Sequence, residues 1–351
     1  NDLRVADNAT LLKASEISTN GKLLLVYASS LTDILDDKDH YDAYRYEAMG
    51  QARQQFLHDS LADLNASLIQ RGNRLLYLQQ GDKALDVFTQ LSGLIAQQRV
   101  TDICVSQTAD YNQNKVYELL QAKHPEIQWH VQTTATLFDE LPLESLPKSF
   151  TQFRKQIESD YDLLHAEKDI AIYPTPESLA PLPDNMQSRN EYFFEYQLSN
   201  QAGRDKPSQL PSSFRGGELN GLTHLDAYFC SDAPSTYKTT RNALDEWAHS
   251  TKFSGWLANG SLSVNIILNR LRRYERDMIA NDSTYWIWFE LLWREYFYWY
   301  AVTHQQKLFW FKGIAQHVPS TQLDENLLAQ WKNGTTPYPI VNACMNQLNA
   351  T

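Results

Sequence analysis

Cysteine is scarce in this sequence: Cys104, Cys230 and Cys344 are the only three in 351 residues, far apart and odd in number. That excludes a disulfide framework and points to a reducing, cytoplasmic setting. Long apolar runs are missing too. No stretch approaches the roughly 20 apolar residues of a membrane span, and the opening residues lack a signal-peptide pattern. The nine histidines show no metal-ligand spacing, and His124 and His130, beside a Pro and a Trp, read as surface residues. Neither G-x-G-x-x-G nor G-x-x-x-x-G-K-[ST] follows any strand-like run, which disfavours a Rossmann dinucleotide site or a P-loop. Excess positive charge is also lacking. The net charge is −11, although Arg241 to Lys312 carries nine Lys/Arg against seven Asp/Glu, room for a modest basic patch.

With 42% hydrophobic and 21% charged residues, the composition is that of a globular chain of about two domains. In the first third, strand-like runs at 22–27, 74–78 and 103–106 alternate with helical patterns at 43–71, 84–98 and 111–123. Such alternation predicts a doubly wound α/β domain with a parallel sheet, over residues 1–130. Residues 131–210 read as a connector rich in Pro, Ser and polar residues, with PTPESLAPLPD as its clearest linker. From 211 to 351 the pattern is all-α, with helices expected at 218–229, 263–279, 281–303, 325–331 and 339–348.

The densest feature is YWIWFELLWREYFYWY at 285–300, in which ten of sixteen residues are aromatic. Helical spacing puts Trp286, Glu290, Trp293 and Phe297 on one face, with Arg294 one turn after Glu290. Either this is a core helix with a buried Glu290–Arg294 pair, or it lines a pocket for a flat, polar-edged ring system. Two further segments suit phosphate oxygens. Tyr237 and Arg241 lie four apart, and Ser250-Thr251-Lys252-Phe253-Ser254 sets hydroxyls beside a cation at an expected helix start. Helix capping would need only one of those hydroxyls.

These stretches carry a resemblance. NDLRVADN, GQARQQFLHDSLADL, KSFTQFRKQIE, FRGGE, TYKTTRN, STKFSGWLANGSLS, ANDSTYWIWFELLWREYF and YPIVNACMNQLNAT follow the order of the cryptochrome/photolyase family, and most resemble its cryptochrome DASH branch. The resemblance implies an α/β domain followed by an all-α FAD-binding domain. It implies an enzyme that splits cyclobutane pyrimidine dimers by electron transfer from light-excited reduced FAD. The expected substrate is damaged, mainly single-stranded DNA, met by a monomer without a membrane partner. Carried over by position, Tyr237, Ser250, Thr251, Lys252, Phe253, Ser254 and Arg294 would hold FAD. Arg241 would meet DNA phosphate, and Glu290, Trp293 and Asn349 would meet the dimer. A blue-light photoreceptor or nucleic-acid-binding flavoprotein without repair would use the same pocket. Three positions depart from the family pattern. Thr108 replaces the acid that contacts the antenna, which weakens the case for methenyltetrahydrofolate. Pro337 and Asn342 replace Gly and Asp at the expected edge of the flavin pocket. The family extends beyond LNAT, so a fragment at both ends is expected, with a strand ahead of Asn1, and Trp310 as the one remaining candidate electron relay.

Overall fold

The computed structural model describes residues 2–28, 50–78, 85–164, 169–187, 193–194, 214–243 and 246–350. In the first domain, Leu25–Ala28 (β1) and Leu75–Leu78 (β2) pair in parallel, as do Asp102–Ser106 (β3) and Gln128–Gln132 (β4). The first domain is thus the α/β domain with parallel strands that the alternation predicts; among the described residues the strands form two two-stranded sheets. The strand β4 was not anticipated, and it crosses residue 130. Its burial is mixed because Gln128 and Val131 face out, so no apolar run marks it.

Ala9–Ile17 (α1), Gln51–Ile69 (α2), Leu85–Gln98 (α3) and Tyr111–Lys123 (α4) cover the strands. The helix expected over 43–71 is described from Gln51; 43–49 and 84 lie outside the described residues. The short helix α1 went unpredicted. It starts where the Asn8 side chain accepts from the Leu11 N–H, and it buries only Ala9 and Leu11. Burial of Leu61, Leu64, Leu68 and Leu75 joins α2 to β2, each contributing about 1.5–3 kcal/mol. The two expected surface histidines are largely covered: His130 Nε2 lies 2.8 Å from Asp102 Oδ1, and His124 Nε2 lies 2.9 Å from Ser92 Oγ.

Among its described residues the connector holds one α-helix, Phe150–Asp160 (α5), capped by Ser149. Phe150, Phe153 and Ile157, at helical spacing, bury it in the core of the second domain. The Pro-rich linker lies against the first domain: Leu179 N–H donates to Arg71 O, and Leu23 N–H to Pro181 O.

The second domain comprises Glu218–Phe229 (α6), Ala233–Thr240 (α7), Ser254–Asn259 (α8), Val264–Asp277 (α9) and Asp282–His304 (α10). Its capping explains its boundaries. Ser263 accepts from Asn265 N–H and Ile266 N–H at the start of α9, and Asn281 with Thr284 forms a capping box on α10. Two helices follow, Glu325–Lys332 (α11) and Pro339–Ala350 (α12), and neither has a buried residue.

Glu218 and Arg4 are among the residues that join the domains. The Glu218 carboxylate accepts from Val5 N–H at 2.7 Å and Ala6 N–H at 2.9 Å. Buried Arg4 donates to Gly260 O at 2.9 Å and Thr134 O at 2.7 Å. Gly216 makes the approach of α2 possible, because a Cβ there would overlap the Phe56 carbonyl oxygen. No helix among the described residues is long and apolar enough to cross a membrane.

Candidate active site

The aromatic helix α10 has two working faces. Its buried stripe is Ile287, Trp288, Leu291, Leu292, Glu295, Tyr296 and Trp299. A cavity of about 370 Å³ opens along an adjoining stripe, Ile287, Glu290, Leu291 and Arg294, which are spaced i, i+3, i+4, i+7. Tyr237 of α7, Thr251 and Phe253 of the turn into α8, and Ser254, Leu257 and Ala258 of α8 close it. The cavity face is thus turned one position from the expected face of Trp286, Glu290, Trp293 and Phe297. Six of the expected residues converge: Tyr237, Thr251, Phe253, Ser254, Glu290 and Arg294.

The others lie elsewhere. Trp293 is stacked at 3.7 Å on Phe150 and at 5.3 Å on Phe297, and it does not line the cavity. Ser250 precedes the lining turn, and Lys252, within it, does not line the cavity; its Nζ sits 5.3 Å from the centroid of the Trp247 ring. Asn349 is on α12, donating to Lys332 O at 2.9 Å. Asn342 staples the turn before α12 through Thr336, so neither it nor Pro337 borders this cavity. Trp310 is half-buried.

Glu290 does not pair with Arg294. Its Oε1 meets Arg241 Nη1 at 2.9 Å, and the guanidinium lies 4.3 Å from the centroid of Trp286. Cavity-side geometry decides this: Arg294 reaches the other way and donates to Ala135 O at 2.5 Å. The Arg241–Glu290 pair is partly exposed, with side chains 25% and 37% accessible, so separating it costs little. The buried Nε of Arg241 has no hydrogen-bond partner among the described residues.

Burial pushes the Tyr237 phenol up to about 12, with Glu290 adding to the shift, so it stays neutral and can donate. Burial lowers the Arg294 guanidinium, which nonetheless remains charged. The capping explanation for the 250–254 hydroxyls fails. The N-cap of α8 is Phe253, and no side chain caps it. Lys252 takes a left-handed φ of 55°, turning Thr251 and Ser254 to the same cavity. The apolar floor of Leu257, Ile287 and Leu291 was missed, although the i, i+4 spacing around Glu290 and Arg294 carried it.

A second cavity, of about 250 Å³, lies at the end of β3. Thr108, Asp110, Tyr117 and Ala135 are in its wall, and it shares Leu257, Ala258 and Arg294 with the first.

Comparison with known proteins places the chain in a family. Residues 1–177 match the DNA photolyase family model, and residues 286–351 match the FAD binding domain of DNA photolyase. A "Cryptochrome DASH" of Idiomarina loihiensis is 40% identical over 355 residues, spanning this whole chain and 73% of that protein. Another, of Vibrio parahaemolyticus, is 42% identical with the same coverage. The crystal structure of a Synechocystis sp. PCC6803 cryptochrome superposes with a TM-score of 0.79 at 30% identity, covering all of this chain and 70% of that one. The chain belongs to the cryptochrome/photolyase family.

Proposed function

We propose that the protein is a blue-light-driven, FAD-dependent photolyase of the DASH type, working as a monomer on cyclobutane pyrimidine dimers in mainly single-stranded DNA. The observation that carries this reading is the convergence of Tyr237, Thr251, Ser254, Glu290 and Arg294 on one partly apolar cavity. The donor set fits a flavin dinucleotide. Hydroxyls and a cation suit the phosphates, and Phe253, Leu257, Ile287 and Leu291 suit the ring system. Ser250 and Lys252 would join from the same turn, and Arg294, which lines the cavity, would lie by the flavin.

When bound, reduced FAD supplies the light-excited electron that opens the dimer and then receives it back. The chain's own residues bind and orient. Glu290 would accept a hydrogen bond from the base edge of a flipped-out dimer, which costs least to extrude from a single strand. In that step Arg241 would exchange the Glu290 carboxylate for a backbone phosphate. The roles of Trp293 and Asn349 at the dimer rest on the family resemblance alone. A methenyltetrahydrofolate antenna would take the second cavity, where Thr108 presents a neutral hydroxyl; a pterin absorption band in the purified protein decides that point.

The test is a photoreduced, FAD-loaded protein mixed with an oligonucleotide carrying one thymine dimer. Blue light should restore thymine absorbance. Binding without dimer loss would favour a photoreceptor or nucleic-acid-binding flavoprotein. Glu290→Ala should lower repair yield about tenfold with FAD retained, the loss expected for one hydrogen bond to a charged group.

A further inference from the structure

A residue that no sequence motif singles out is bonded to the lining turn. His224 sits on α6, one turn after Gly221, and both face Trp256 of α8. Gly221 permits the approach, since a Cβ there would lie 3.0 Å from Trp256 Cδ1. The His224 ring stacks on Trp256 at 5.1 Å with planes 23° apart, and Phe253 closes against it edge-on at 5.8 Å. Its Nε2 lies 2.9 Å from the carbonyl oxygen of Thr251. A carbonyl only accepts, so Nε2 carries the proton.

The turn needs such a hold. Lys252, the next residue, adopts a left-handed conformation that a side chain disfavours. Phe253 heads α8 without a side-chain cap. At either end the backbone is fixed, by Thr240 Oγ1 donating to His249 O at 3.2 Å and by Leu257 N–H donating to Phe253 O at 3.0 Å. Between them, His224 reaches across 27 residues to Thr251.

We propose that His224 is a positioning residue for the dinucleotide: its hydrogen bond to Thr251 holds residues 251–254 in the conformation that presents the Thr251 and Ser254 hydroxyls to the phosphates. The proposal rests on reading the cavity as a flavin dinucleotide site. His224 does not line the cavity and acts through the turn.

Two variants separate the hydrogen bond from the stack. His224→Phe keeps a ring against Trp256 and loses the donor. His224→Gln keeps an N–H at similar reach and loses the ring. Two readouts are followed: hydrogen–deuterium exchange of amides 250–256 without flavin, and affinities for FAD and for riboflavin, which has no phosphates. In His224→Phe, exchange should quicken and FAD affinity should fall about tenfold, the scale of one hydrogen bond, while riboflavin affinity holds. His224→Gln should follow the wild type in both. The proposal is overturned if His224→Phe behaves as wild type, if His224→Gln falls with it, or if both flavins weaken equally. A wild-type protein that binds no FAD would overturn the cavity reading instead, and the exchange data would still judge the hold on the turn.

Discussion

Glu295 allows a quantitative test of the packing between α10 and the connector. Its side chain is fully buried, and its Oε1 accepts from Leu137 N–H at 2.9 Å. Arg294 Nη1 stands 3.9 Å away. Burial pushes the carboxyl up from 4.5 to about 7, against the opposing pull of Arg294, the Leu137 N–H and Trp299. Below pH 4.5 the group is protonated in both the folded and the unfolded chain. Between 4.5 and about 7 the unfolded chain ionises first, so stability falls as pH rises; above 7 the loss is complete. A gap of about 2.5 pH units at 1.36 kcal/mol each corresponds to about 3 kcal/mol. Gln imitates the protonated acid, since its carbonyl accepts from Leu137 in the same place. Urea unfolding of the wild type and Glu295→Gln should give equal stabilities near pH 4.5 and a variant more stable by about 3 kcal/mol at pH 8. A difference that is the same at every pH, or that shrinks as pH rises, would refute the reasoning.

Two further substitutions probe the joint between the domains. Glu218→Ala strands the buried N–H of Val5 and the part-buried N–H of Ala6 and should cost about 3 kcal/mol in urea unfolding, with a loss under about 1 contradicting the clasp. Gly216→Ala forces a Cβ onto the Phe56 carbonyl and should cost about 3 kcal/mol with a lower soluble yield; a variant within about 0.5 kcal/mol of wild type would show that the backbone yields.

What was legible in the sequence is what depends on neighbours along the chain. The limits of α10 follow from Asn281 and the aromatic run, and those of α9 from Ser263 and its apolar spacing. The helix α5 was hidden because its three buried side chains, Phe150, Phe153 and Ile157, lie in a stretch otherwise rich in Pro and Ser. Contacts between distant residues were not readable. Arg241 and Glu290 are 49 residues apart, Arg294 and Ala135 are 159, and Glu218 and Val5 are 213. The expected Glu290–Arg294 pair shows the difficulty: helical spacing permits it, but a carbonyl from the connector and a guanidinium from α7 make better partners. Trp293 was expected at the ligand for the same reason, and its capture by Phe150 depends on a helix that the pattern did not reveal.

Leu257, Ala258 and Arg294 belong to both cavities, so α8 is a party wall. A larger residue at 258 cannot narrow one chamber and leave the other unaltered. If each chamber takes a ligand and the wall shifts on entry, each ligand changes the other's affinity by the same factor, because coupling between binding sites is reciprocal. Titrating either ligand with and without the other would then give matching ratios. The two compartments must be studied as one linked system, including in any effort to redesign a single one.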